Sequence, residues 1–405
     1  MRGEREMMMR RKWSGSAVFW GVLAVAALVV TGGVCAPAAG QVAAVDGAAD
    51  LAVGVASDGA GRYVASGWED AAAEASALVE SMREEHGVPG LSVSVVVDGQ
   101  IVFSGGFGLA DLEQGVAASR RTLYRLASVS KVVTASAAAR LAADGRLDLD
   151  ADVREYVPLF PEKPFVVTVR QLCGHLGGVR HYQLQDRLQS TPGGSIDTRE
   201  YVSDNDILAI FAGDPLLARP GAAFSYSTFG FTLVGLAIEG ATGKGLMEVV
   251  GEEVIEPLGL ERLRRDRPRE IVAHRTRFYD KGRNGTVTNS GYLNPAYKVA
   301  GGGMIATADD MARFGAAHCA PGYLGEAVFG EVFTSQTTLD GDATGTGIGW
   351  RIGRVDGRRV FQHSGAAGDA GAAAGVARGW GERVRALEPG RGRVAGGVVC
   401  ASGGG

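Results

Sequence analysis

The 405-residue sequence predicts an α+β protein, with a mainly antiparallel sheet flanked by helices and a helical region inserted between its first and last strands. Three observations carry this expectation. Two β-branched runs flank Asp98-Gly99 toward the N-terminal end. Two more strand-like runs flank Asp356-Gly357 toward the C-terminal end. Residues 150–345, between these pairs, carry mostly helical spacing. Strands from the two ends can therefore share one sheet.

The elements follow in order. Arg10-Arg11-Lys12 precedes an apolar run, and no charge occurs from Trp13 to Val45. A basic n-region followed by an apolar h-region reads as an export signal, and about 20 apolar residues would also reach across a bilayer. Residues 1–34 are thus expected to be a signal peptide or membrane anchor, with possible membrane association through residues 13–34. The protein is then exported, to the periplasm or the cell exterior. Residues 35–70, rich in Ala, Gly and Asp without periodicity, read as a flexible linker, and 71–400 as one folded domain.

Apolar residues recur at helical spacing from Ala72 to His86. "LSVSVVV" (91–97), Asp98-Gly99 and "QIVFSGGFG" (100–108) form a hairpin signature. A helix is expected over 128–145, closing at Gly145, and others over 168–175, 204–212, 228–241 and 246–256. "TADDMARFGAAH" (307–318) opens with a threonine and two acids, a good helix start. "GIGWRIGRV" (347–355) and "RRVFQHSG" (358–365) form the second hairpin. Beyond it, "RVRAL" (383–387) and "RVAGGVV" (393–399) suggest two short strands around Pro389-Gly390, with no helix after them to cover the sheet.

Composition narrows the function. Hydrophobic residues make up 46% of the chain, enough for a sizeable core. The net charge is −4 and no basic stripe follows residue 12, so nucleic acid is not an expected partner. Cys35, Cys173, Cys319 and Cys400 are far apart, with no CxxC pair or Cys/His cluster. Neither a structural zinc nor a disulfide framework is indicated.

The stretch Ser128-Val129-Ser130-Lys131 carries the chemistry. With Ser128 in the first turn of a helix, Lys131 lies one turn on, along the same face. A serine hydroxyl is a weak nucleophile until a base takes its proton, and a lysine serves as that base only when neutral. Burial or nearby cations must therefore lower its pKa. Alone, S-x-x-K is also an ordinary helix opening with a capping serine and a solvated lysine.

Two further segments strengthen the reading. Tyr226-Ser227-Thr228 follows a Pro-Gly turn, and His363-Ser364-Gly365 ends a hairpin strand. With S-x-x-K these resemble, in the same order, the S-x-x-K, Y-x-N and K/H-T/S-G elements of the serine β-lactamase and penicillin-binding protein family. The likeness spans roughly residues 72–368 and extends to "EEVIEPLGL" and "AYKVAGGGMIATADDMARFG". It is nearest to the esterase-like, mitochondrial-type branch and its bacterial relatives.

The resemblance implies a β-lactamase/transpeptidase-like fold and an acyl-transferring serine hydrolase without metal or organic cofactor. Its substrate would be a small peptide, amide or ester. It makes Ser128 the acylated nucleophile, Lys131 the acceptor of its proton, and Tyr226 the relay to the leaving group. His363, in place of the commoner lysine, would donate to Tyr226 or to a substrate carboxylate. Thr228, Ser364, Gly365 and Ala366 would bind substrate, and the N–H groups of Ser128 and Ala366 would form an oxyanion hole. Ser130 is expected to pack or cap, His175 to be structural, and Gly301-Gly302-Gly303 to allow close backbone approach. Thr228 stands where many relatives have asparagine. A slow penicillin-binding acyl-transfer protein and a catalytically inactive binding relative are the alternatives.

Overall fold

The computed structural model describes residues 61–190, 194–282, 285–319, 321–355, 358–366, 370–377 and 394–402. The leader, most of the expected linker, the Asp356-Gly357 turn and the 383–387 run lie outside the described residues.

One large sheet organises the chain. Its strands are β1 (Tyr63–Val64), β2 (Gly90–Val97), β3 (Gln100–Asp111), β4 (Val116–Ala117), β5 (Arg351–Val355), β6 (Arg358–Ala366), β7 (Ala370–Ala377) and β8 (Val394–Ser402). They lie in the order β1-β3-β2-β8-β7-β6-β5, with β4 also on β3, and every pairing is antiparallel. The strand β8, the last in sequence, joins the N-terminal strands to the other C-terminal ones, with Val399 opposite Val93 of β2 and Ala373 of β7. The expected sharing of one sheet by both ends is therefore present. Asp98 and Gly99 both adopt positive φ (51° and 80°), the conformation a two-residue hairpin turn demands. Tyr63–Val64, inside the stretch read as linker, forms an edge strand on Phe103 and Ser104.

Two differences from the expected strands have physical causes. The second hairpin begins at Arg351 rather than Gly347. Gly349 sits at φ 79°, where a Cβ would come within 2.5 Å of the Ala135 Cβ, so "GIGW" is a bend laid against the helix that carries Ala135. The strand β7, "AGAAAGVA", has almost no strand propensity, yet it is paired on both sides, and ladder hydrogen bonds override a weak local preference.

Helices cover both faces. The helix α1 (Glu69–Glu85) sets Ala71, Ala72, Ala75 and Val79 against Val93, Val95, Phe103 and Phe107. On the opposite face the helix α4 (Ala308–Ala317) packs on β2, β3, β7 and β8, and Asp309 accepts from Ser104 of β3 at 2.5 Å. The inserted region centres on α2 (Ser130–Ala143) and α3 (Thr228–Thr242). Both are buried along nearly their whole length because they are apolar around the axis rather than along one stripe. The remaining expected helices are present but shorter, at Val169–Cys173, Asp204–Leu208 and Leu246–Val250, the last running on as a π turn over Gly251–Ile255. Capping boxes at Thr168/Gln171, Ser203/Asp206 and Thr307/Asp310 fix three helix starts. Among the described residues no helix is long and apolar enough to cross a membrane.

Candidate active site

Ser128 lies in a 3-10 turn, Ala127–Val129, that leads directly into α2. A three-stranded sheet of Tyr124–Arg125, Met304–Ala306 and Arg264–Arg265 delivers the chain to this turn. Leu126 N–H donates to Met304 O at 2.9 Å, and Met304 N–H donates to Ser130 Oγ at 3.2 Å, so Ser130 is a buried tie rather than a reactive group. Ala127 is held at φ 45°, a left-handed conformation that costs a non-glycine residue about 1 kcal/mol or more and is seen where surrounding packing over-determines it. The packing here is β6: a Cβ on Gly365 would lie 2.3 Å from Leu126 O and 3.0 Å from Ser128 N. Only glycine lets the strand approach so closely.

Lys131 is fully buried, and its Nζ donates to Ser128 Oγ at 3.2 Å, Thr228 Oγ1 at 3.0 Å and Gly301 O at 2.6 Å. Burial pushes its pKa below the ordinary 10.5, opposed by Tyr226 and assisted by the Arg351 guanidinium. Gly301 reaches this position because it is glycine: a Cβ there would come 2.7 Å from Thr228 Cγ2. The glycine run therefore provides the expected close approach.

Tyr226 stands just before α3 with its ring 5.0 Å from Lys131 Nζ. Burial pushes the phenol up, but the Lys131 ammonium, hydrogen bonding with Ser128 and Lys131, and Arg351 outweigh it, so its pKa falls below 10. The start of α3 is clamped by the segment 175–181. Ser227 N–H donates to His175 Nδ1 and Thr228 N–H to His181 Nδ1, both at 3.2 Å, while Ser227 Oγ donates to Arg180 O at 2.7 Å. Arg180 is itself fixed by Asp186 at 2.7 Å and by Asp214. Two neutral imidazoles thus satisfy helix-start N–H groups that would otherwise be orphaned. Burial, then Lys131, holds His175 well below its ordinary pKa, and the same causes hold His181 at about 4. His175 packs at 4.4 Å on the Tyr226 ring, the structural place expected of it. Thr228 is buried with its hydroxyl turned onto Lys131.

His363 comes from β6, is buried, and is held at about 3 by burial, Lys131 and Arg351. Its Nδ1 donates to Ser364 O at 2.7 Å. In the neutral ring Nε2 is then an acceptor, so the expected donation by His363 to Tyr226 or to a carboxylate is not what this geometry offers. A hydrogen bond with Tyr226 would run from the phenol. Ser364 and Ala366 are exposed and Gly365 half-buried along the same strand.

A cleft of about 380 Å³ opens over Ser128, lined also by Ala366, Thr228, His181, Tyr182, Arg187, Lys298 and Gly302. A larger cavity of about 510 Å³ touches other residues of α3 but none of Ser128, Lys131 and Tyr226. Among the described residues no group of three His, Cys, Asp or Glu is placed to hold a metal. Three contributors escaped the sequence reading. They are Gly301 O, whose role is a backbone one, and Arg351 and His181, which lie outside the three motifs. A histidine six residues after His175 was the one available signal.

The chain is similar to known proteins over most of the described residues. The family model described as Beta-lactamase matches residues 75–379. The human serine beta-lactamase-like protein LACTB, mitochondrial, is 31% identical over 299 residues, covering 59% of this chain and 54% of that protein. The chain thus spans about half the length of such relatives. Esterase EstB of Burkholderia gladioli is 31% identical over 310 residues, covering 69% of this chain and 78% of the esterase. The octameric penicillin-binding protein homologue from Pyrococcus abyssi superposes with a TM-score of 0.67 at 23% identity, covering 80% of this chain and 72% of that one, which establishes the shared fold.

Proposed function

The chain belongs to the beta-lactamase family, and from that premise we propose that it is an exported serine hydrolase acting through a Ser128 acyl-enzyme on a peptide, amide or ester. The observation that carries the proposal is the Lys131 amine, buried, pushed toward its neutral form and 3.2 Å from Ser128 Oγ. Neutral Nζ takes the Ser128 proton as Oγ attacks the substrate carbonyl. The oxyanion forms against the N–H groups of Ser128 and Ala366, each donor worth roughly 3 kcal/mol of transition-state stabilisation. Tyr226 passes a proton to the leaving group and regains it from Lys131. Water then attacks the acyl-enzyme and restores Ser128. Thr228 and Gly301 hold the Lys131 amine in place.

The test is turnover of a panel of D-aminoacyl peptides, carboxylic esters and β-lactams by folded protein, with Ser128→Ala as control. Turnover of an ester or amide that Ser128→Ala abolishes supports the proposal. Persistent turnover in the control, or none by the wild type, contradicts it. Export rests on residues 1–34, and fractionation of cells expressing the full chain tests it: activity confined to the cytosol would overturn it.

A further inference from the structure

We infer that the cavity of about 510 Å³ is a second binding site, which takes a small zwitterion of the amino-acid type with an apolar side chain. Arg265 receives its carboxylate and Glu239 its ammonium group. The inference does not depend on acyl transfer at Ser128. No residue lines both this cavity and the cleft over Ser128. The segment 296–302 divides them, with Tyr297, Val299 and Ala300 on the cavity and Lys298, Gly301 and Gly302 on the cleft.

Arg265 is a cation without a counter-ion. Its backbone is fixed opposite Met304 in the small sheet that leads to the Ser128 turn. Its Nε is buried and has no hydrogen-bond partner. The same is true of Nε in Arg140 and Arg199, but those guanidinium groups donate through another nitrogen, to Tyr323 O and Asp206 O. Arg265 donates to nothing among the described residues and forms no ion pair with them. Burial lowers its pKa and Arg267 adds to this, while Glu239 and Glu270 oppose it without touching it. A half-buried cation with no anion in contact is costly, and a ligand carboxylate on the guanidinium removes that cost.

Glu239 complements it. This residue lies on α3, and its Oε1 accepts from Leu246 N–H at 2.7 Å, across the turn at Gly243 that ends the helix. Its other oxygen has no partner among the described residues. Burial pushes the carboxyl above its ordinary 4.5, Leu246 N–H opposes this, and Asp204 adds to it. An ammonium group set against Glu239 and Asp204 would relieve both. Arg265 and Glu239 share one cavity yet do not pair, so a ligand that meets both must carry both charges. Arg267 does not compete for it, being paired with Glu270 at 2.9 Å. Ile207, Leu236, Leu246 and Val299 supply apolar walls for a side chain. Those walls are held together. Thr232 Oγ1 donates to Tyr297 O at 3.1 Å, and a Cβ on Gly235 would lie 2.7 Å from the Ala300 Cβ.

The experiment titrates three probes into the full chain by calorimetry. They are L-leucine, 4-methylpentanoate, which lacks the ammonium group, and 3-methylbutylamine, which lacks the carboxylate. Leucine should bind at one site, and each truncated probe about tenfold or more weakly, the size expected for one lost charge-assisted contact. Arg265→Gln should weaken leucine about tenfold and remove its advantage over 3-methylbutylamine. Glu239→Gln can still accept from Leu246 N–H, and it should remove the advantage over 4-methylpentanoate. Circular dichroism checks each variant for folding. Arg265→Lys, which keeps the charge but not the two-pronged geometry, should give an intermediate loss and replaces the glutamine variant if that one does not fold. No saturable heat from leucine up to about 10 mM would overturn the inference. Binding of 4-methylpentanoate as tight as that of leucine would overturn it too, because the ammonium group is then not read. Leucine affinity unchanged in both folded variants would place the ligand elsewhere, the cleft over Ser128 included, and would overturn it as well. None of these outcomes bears on Ser128 as a nucleophile, which the labelling of that residue tests separately.

Discussion

Ser128 stands between a helical wall and a strand, and the two hold their functional groups by different means. On the helical side the groups are side chains: Lys131 on α2, Tyr226 and Thr228 at the start of α3, and His175 and His181 behind them. Each is pinned by a hydrogen bond to backbone or neighbour, and burial lowers the pKa of Lys131 and of both histidines. On the strand side, His363 aside, the contribution is backbone and small residues, Gly365 and Ala366, pressed against the Ala127–Val129 turn. The helical wall tolerates little change in chemistry and the strand wall little change in volume.

Substitutions on the helical wall should therefore be the most costly. Lys131→Met removes the proton acceptor and should lower kcat/KM by about 10⁴-fold or more, while circular dichroism and thermal unfolding show a folded protein. A fall of less than about tenfold would mean that another group takes the Ser128 proton. On the strand wall, Gly365→Ala places a Cβ 2.3 Å from Leu126 O and must push β6 away from Ser128. We expect kcat to fall about 100-fold with little change in the titration of Lys131, because the damage is to geometry. Wild-type kcat in Gly365→Ala would show that the strand is not held against the turn.

The histidines give a stability comparison. His181 and His318 are held at about 4 and His363 at about 3, against an ordinary value of 6.5, each chiefly by burial. Between about pH 6.5 and pH 4 the unfolded chain binds protons there that the folded chain does not, so stability is complete above about 6.5 and declines as pH falls. Denaturant midpoints at pH 7.5 and 5 should separate in that direction, and replacing His318, which is remote from Ser128, by Gln should narrow the gap without altering the pH–rate profile. A midpoint that rises on acidification would contradict this. The smallest effect is expected from Arg351→Gln. The guanidinium is exposed and lowers the Lys131 pKa from outside the core. Its loss should move the rising limb of the pH–rate profile for kcat/KM to higher pH, reducing the rate near neutrality by a few-fold; a shift to lower pH would reverse the assignment.

The same contrast explains what could be read from the sequence. The helical wall was legible because its chemistry depends on side-chain identity: Ser128, Lys131 and Tyr226 keep recognisable types at recognisable spacings. The Asp98-Gly99 hairpin was legible because few residues accept positive φ at two successive positions. The strand β7 was not, since alanine and glycine carry no strand signal and only its two neighbours make it one. Gly301 O, which accepts from Lys131 at 2.6 Å, is a backbone group supplied by a segment 170 residues away, and no local pattern announces such a partner. Nor did the sequence indicate that Nδ1 of His363 would be spent on Ser364 O.

The central claim is that Ser128 is a nucleophile made reactive by Lys131. The most direct measurement is the rate of labelling by a fluorescent fluorophosphonate, followed by peptide mapping, for wild type, Ser128→Ala and Lys131→Met, each confirmed folded. An adduct confined to Ser128, absent in Ser128→Ala and formed far more slowly in Lys131→Met, is the predicted result. An adduct elsewhere, no adduct on folded wild-type protein, or equal rates with and without Lys131 would contradict it.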